Sequence, residues 1–61
     1  MASPETDTLE IAEAIAKYTR AIQLNAHDAE AVYQRGLAYA KLNRLAQAVQ
    51  DLKQATSMFP N

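Results

Sequence analysis

The chain repeats itself with a period of 34 residues, and this repeat limits its possible folds more than any other feature. A shift by 34 positions places residues 11–24 on residues 45–58, with small or apolar residues meeting at regular intervals. The matched pairs are Ile11 with Leu45, Ala12 with Ala46, Ala14 with Ala48, Ile15 with Val49, Tyr18 with Leu52, Ala21 with Ala55 and Leu24 with Met58. Periods of this length are typical of stacked supersecondary units. The repeat therefore predicts two copies of one structural element.

Apolar residues recur at spacings of three and four in three segments, which is the pattern of amphipathic helices. We predict helices at about residues 8–24, 29–42 and 44–58. Residues 1–7 are polar and are predicted to be a disordered leader, so the folded domain would span residues 8–61. The links between helices are only a few residues long, which makes consecutive helices pack antiparallel. The predicted fold is all-α, with three antiparallel helices.

Residues with known capping preferences stand at the predicted helix ends. Asp7 is a candidate N-cap for the first helix, with Glu10 three residues later completing a capping box. Asp28 is a natural N-cap for the second helix. Asn43 tolerates the left-handed backbone conformation that ends many helices, and Pro60 cannot continue the third.

The chain is too small to be strongly stabilised by its core alone. A domain of 61 residues buries only about 60% of the surface that its unfolded chain exposes. Disulfides or a structural metal often compensate, but the sequence has no Cys and a single His. Stability must then come from regular helix packing, from self-association, or from neighbouring sequence that this chain lacks.

The charge pattern excludes several partner classes. The net charge is −1, and the six basic residues are scattered along the chain. Binding to a phosphate backbone needs concentrated positive charge, so we expect no nucleic-acid partner. No apolar run approaches the length of a membrane span, and the N-terminal residues do not resemble a secretory signal, so we expect no membrane partner. A cytoplasmic location is the default expectation.

A catalytic site is not indicated. His27 is the only histidine and there is no cysteine, and the two serines, Ser3 and Ser57, lie in the predicted leader and at a helix end. No set of ligands has metal-binding spacing, and a phosphate-binding loop cannot be built with one glycine. We therefore predict that the chain is not an enzyme and needs no metal or cofactor.

Gly36 lies in the middle of the second predicted helix. A glycine in a helix interior costs about 1 kcal/mol relative to alanine, so it is retained mainly where a side chain would collide with a neighbour. Gly36 therefore predicts a close approach by another helix.

The second half of the chain resembles the tetratricopeptide repeat (TPR) family, whose unit is a pair of helices with a period of 34 residues. The resemblance covers one whole repeat, from about Ala29 to the chain end, and the second helix of a preceding repeat, about residues 9–27. The family's signature positions are occupied here by Val32, Arg35, Gly36, Tyr39, Ala48, Leu52, Ala55 and Pro60. Val32, Arg35 and Leu52 depart from the usual residue types. The resemblance implies a TPR-like α-solenoid fragment of about one and a half repeats.

The same resemblance implies where contacts and binding would occur. The glycine position faces a small residue of the partner helix, so Gly36 would lie against Ala48. The second helix would line a concave groove that holds peptides, with Glu30, Tyr33, Gln34, Leu37 and Lys41 as its candidate contact residues. Glu30 would repel a carboxylate, which argues against a clamp for acidic chaperone tails.

These observations predict a non-enzymatic protein-interaction module of TPR type, with a protein or peptide partner. Two alternatives remain open. The chain could form a homodimer or a domain swap through apolar helix faces without a covering helix, for which the candidate residues are Leu45, Val49, Leu52 and Phe59. It could also be a regulatory segment of a larger parent enzyme.

Overall fold

A computed structural model describes the backbone of residues 4–59 and the side chains of residues 7–59. The chain forms three α-helices: α1 (Pro4–Leu24), α2 (Ala29–Lys41) and α3 (Leu45–Met58). The described residues contain no strand. The all-α class is confirmed, and both ends of α2 and α3 lie within one residue of the prediction.

The prediction for the start of α1 was wrong. The helix begins at Pro4, four residues before the predicted start, so Asp7 lies inside the helix and is not its N-cap. Proline is favoured at the first helical position, because its φ angle is already helical and the N–H that it lacks would have no partner there. Residues 4–7 are therefore helix and not a disordered leader. Residues 1–3 lie outside the described part of the chain.

The first link is held by local hydrogen bonds. The side chain of Asn25 accepts a hydrogen bond from the backbone N–H of His27 at 3.0 Å. The side chain of Asp28 accepts one from the backbone N–H of Ala31, also at 3.0 Å, which confirms Asp28 as the N-cap of α2.

The second link ends α2 in a Schellman motif. Asn43 has a φ angle of 61°, as its position predicted. Its N–H donates to the carbonyl of Ala40 at 3.0 Å, and the N–H of Arg44 donates to the carbonyl of Tyr39 at 2.9 Å. Two carbonyls that the helix end would leave unpaired are thus satisfied.

Helix α2 lies between the other two helices. It packs against α1 and, more extensively, against α3, whereas α1 and α3 do not pack on each other. Glu10 near the start of α1 and Lys41 at the end of α2 line the same groove, as expected for antiparallel helices. Among the side chains of residues 7–59, the buried apolar ones apart from Val32 are all alanines: Ala29, Ala31, Ala38, Ala48 and Ala55.

Small side chains allow helices to pack closely, and Gly36 lies at such a close contact with α3. A Cβ atom placed on Gly36 would lie 3.1 Å from the Cβ of Asp51 and 3.1 Å from two side-chain carbons of Leu52. The predicted close approach is therefore present. The nearest atoms do not belong to Ala48, as the resemblance implied, but to residues one turn further along α3. Ala48 is itself buried on the same side of α3.

Candidate functional site

Two grooves run along the sides of α2. The groove between α1 and α2 contains Gln34, Leu37 and Lys41, three of the five predicted contact residues. It has a volume of about 210 Å³ and is completed by Ala38 of α2 and, from α1, by Glu10, Ile11, Ala14 and Tyr18. Its charged residues are of both signs.

The groove between α2 and α3 contains the other two predicted residues, Glu30 and Tyr33. It has a volume of about 460 Å³, and α3 and its C-cap supply Ala55, Thr56 and Phe59. The five predicted residues therefore share one helix but belong to two grooves, because α1 and α3 flank α2 on different sides.

A hydrogen bond on α2 joins one residue of each groove. The side-chain amide of Gln34 donates to Oε1 of Glu30 at 2.9 Å. Residues four apart on a helix are neighbours on its surface, so this bond holds both side chains along the helix. Beside the pair, Tyr33 is 41% exposed and offers a large, rigid surface with a polar tip.

A third groove lies on α3. It has a volume of about 470 Å³ and is lined by Val49, Leu52, Lys53, Thr56 and Ser57. Of the residues predicted for self-association, Leu45 is 58% exposed, Val49 54% and Phe59 50%, whereas Leu52 is half-buried. Three of the four are thus open to solvent in the single chain.

An ion pair joins α2 to α3. The Arg35 guanidinium donates to Asp51 through Nε to Oδ2 at 2.7 Å and through Nη2 to Oδ1 at 2.9 Å. Its Nη1 also donates to the hydroxyl oxygen of Thr19 on α1, at 3.2 Å. Asp51 is buried, with 5% of its surface exposed. One side chain of α2 therefore bonds to both neighbouring helices.

The surroundings of Arg35 keep it charged. Its hydrogen bonds to Asp51 raise the pKa of the guanidinium; burial opposes this shift, and the negative charge of Asp51 adds to it. The guanidinium carbon also lies 5.8 Å from the centre of the Tyr39 ring, within the range of a cation–π contact. The guanidinium of Arg35 therefore interacts with residues of this chain on all three helices.

Sequence reasoning missed this ion pair and treated Arg35 only as a departure from the family pattern. A signal was present, since Arg35 shares a helix face with Val32, Gly36 and Tyr39. Asp51 likewise lies three residues after Ala48 and four before Ala55. Opposite charges on the apolar stripes of adjacent helices indicate a buried pair, because a buried charge needs a partner.

The remaining chemical groups are dispersed. His27 is exposed in the first link. Across the described residues, no three His, Asp or Glu side chains come close enough to hold a metal ion. None of the helices in this part of the chain is long and apolar enough to cross a membrane.

Comparison with known families agrees with the repeat architecture. A family model described as TPR repeat matches residues 10–43, and a second model, described as tetratricopeptide repeat, matches residues 29–61. Each match covers more than half of the chain. No curated protein and no solved structure matches the chain in these comparisons.

Proposed function

Since the chain belongs to the tetratricopeptide repeat family, whose members are in general protein-interaction modules, we propose that it binds a protein segment along the grooves beside α2. The observation that carries this proposal is the exposed Tyr33, which lines the groove between α2 and α3. Tyrosine is enriched at energetically important interface positions, because it buries a large area with few rotatable bonds.

The small size of α2 limits what it can bind alone. Specific protein interfaces bury about 1,600 Å² in total, more than a single helix of 13 residues offers. A partner segment must therefore fill both grooves and also contact the helices that flank α2.

Selection of peptides on the immobilised chain tests the proposal. Selected peptides should shift backbone amide signals of α2 residues in ¹H–¹⁵N spectra, and Tyr33→Ala should weaken their binding at least about tenfold. Leu24→Ala is the matched control, because Leu24 is an exposed apolar residue that lines neither groove. Equal loss in both variants, or shifts confined to the links, would refute the proposal.

The exposed apolar residues of α3 favour self-association as a second candidate function. Leu45 and Val49 lie on the helix that corresponds to α1 in the repeat, and Phe59 is its C-cap. Among the described residues, no further helix covers Leu45 and Val49. Exposed apolar surface of this kind is typical of interfaces. A second copy of the chain is the proposed occupant.

Sedimentation at several concentrations tests this second function. The parent chain should show a dimer fraction that grows with concentration, and Val49→Lys should abolish it. Gln50→Lys is the control, because the same charge is then added at the neighbouring exposed position. A parent chain that stays monomeric at all concentrations would reject self-association.

A further inference from the structure

The groove between α2 and α3 combines two aromatic rings with one acidic group. Tyr33 and Phe59 are both substantially exposed, and Ala55 is buried beneath them. The Thr56 hydroxyl already donates to the carbonyl of Leu52 at 2.8 Å. The volume of about 460 Å³ is within the range of small-ligand pockets, so the groove can accept a long side chain.

Glu30 is the only charged side chain among the five described residues that line this groove. One of its oxygens accepts from Gln34, and among the described residues no basic group lies within ion-pair distance of it. Arg35, the nearest arginine in the sequence, is committed to Asp51. The groove therefore carries a negative charge that the fold does not neutralise.

We propose that the groove between α2 and α3 binds an arginine or lysine side chain of an otherwise apolar partner segment. This inference rests on the proposed function and names the chemistry of the partner. The aliphatic stem of the bound side chain would lie against Tyr33 and Phe59, and its charged head would reach Glu30. Arginine fits better than lysine, because its planar group pairs with a carboxylate and stacks on rings.

The other groove of α2 does not share this preference. Glu10 and Lys41 both line the groove between α1 and α2, so that groove carries charges of both signs. A positively charged residue gains most where the negative charge is uncompensated, so the basic residue of the partner occupies the groove with Glu30.

Three capped pentapeptides of alternating alanine and leucine, with a central arginine, citrulline or glutamate, test the inference. Citrulline has nearly the shape of arginine but no charge. Titrated into ¹⁵N-labelled chain, the arginine peptide should shift the amides of Tyr33 and Thr56 and saturate at about a three- to fivefold lower concentration than the citrulline peptide. The glutamate peptide should bind most weakly of the three.

Two protein variants assign the preference to Glu30. Glu30→Gln should abolish the difference between arginine and citrulline, whereas Glu13→Gln, which removes the same charge from an exposed site on α1, should preserve it. Equal binding of all three peptides at the Tyr33 and Thr56 amides would overturn the inference and leave the proposed function intact. A similar loss of preference in both variants would also overturn it. If none of the peptides shifts an amide of the groove between α2 and α3, the inference fails, whereas the proposed function is decided by the selected peptides.

Discussion

Arg35 and Asp51 form a two-point hydrogen-bonded ion pair between α2 and α3, with distances of 2.7 and 2.9 Å. The pair lies on the apolar faces of both helices, and Arg35 also bonds to Thr19 of α1. A core made largely of alanines buries little apolar area per residue, so an interaction that spans all three helices matters for how they are arranged.

Replacing only the arginine of this ion pair should lower the free energy of unfolding more than replacing both partners. Arg35→Met leaves Asp51 buried without its cation, which should lower the free energy of unfolding by about 3–5 kcal/mol. The double variant Arg35→Met, Asp51→Ala should be more stable than Arg35→Met alone, because the unpaired charge is gone. Thermal unfolding followed by circular dichroism measures both. Arg20→Met, at an exposed position of α1, is the control and should change stability by less than about 0.5 kcal/mol. A double variant less stable than Arg35→Met would contradict this account.

Enlarging Gly36 should destabilise the fold despite the better helix propensity of the replacement. A Cβ at this position would press on Asp51, which is held in place by Arg35, and on Leu52. We expect Gly36→Ala to lower the free energy of unfolding by about 1 kcal/mol, and Gly36→Leu by several kcal/mol, through overpacking. Ala40→Leu, at an exposed position of α2, controls for added size. If Gly36→Leu melted at the temperature of the parent chain, the close contact would not be a constraint.

Substitutions at Asn43 should change the stability through the backbone conformation that this position requires, and not through lost side-chain contacts. Its φ angle of 61° is in the left-handed region, where glycine is unstrained and β-branched residues are disfavoured. We expect Asn43→Gly to equal or exceed the parent in stability by up to about 1 kcal/mol, and Asn43→Val to lose about 1–2 kcal/mol. Urea denaturation of the three proteins gives the comparison. Asn43→Val with parental stability would show that the link does not need this conformation.

The Thr19 hydroxyl should help to hold α1 against α2. Thr19→Val keeps the shape of the side chain but removes the oxygen that accepts from Arg35, which should cost about 0.5–1.5 kcal/mol. Hydrogen exchange should show faster opening of α1, with α2 and α3 little changed, because their direct ion pair remains. Gln23→Ala, at an exposed position of α1, is the control. Uniform acceleration in all three helices would mean that α1 does not open separately.

Local features of the sequence were sufficient to predict the helices and their links. The 3.6-residue periodicity placed α2 and α3 within one residue, and Asp28 and Asn43 act at helix ends through their own neighbours. The start of α1 was misplaced because Pro4 and Asp7 both carry start signals within one turn, and the proline is where the helix begins. Family membership also followed from the sequence, because the 34-residue period and its signature positions are read along one chain.

Only the tertiary structure decided which side chains meet across helices. Arg35 and Asp51 are 16 residues apart, and the atoms nearest to a Cβ placed on Gly36 belong to Asp51 and Leu52. The placement of α1 and α3 divides the predicted contact residues of α2 between two grooves. Periodicity fixes the face on which a residue lies, but the rotation and translation of one helix against another depend on packing of all three, which no local pattern encodes.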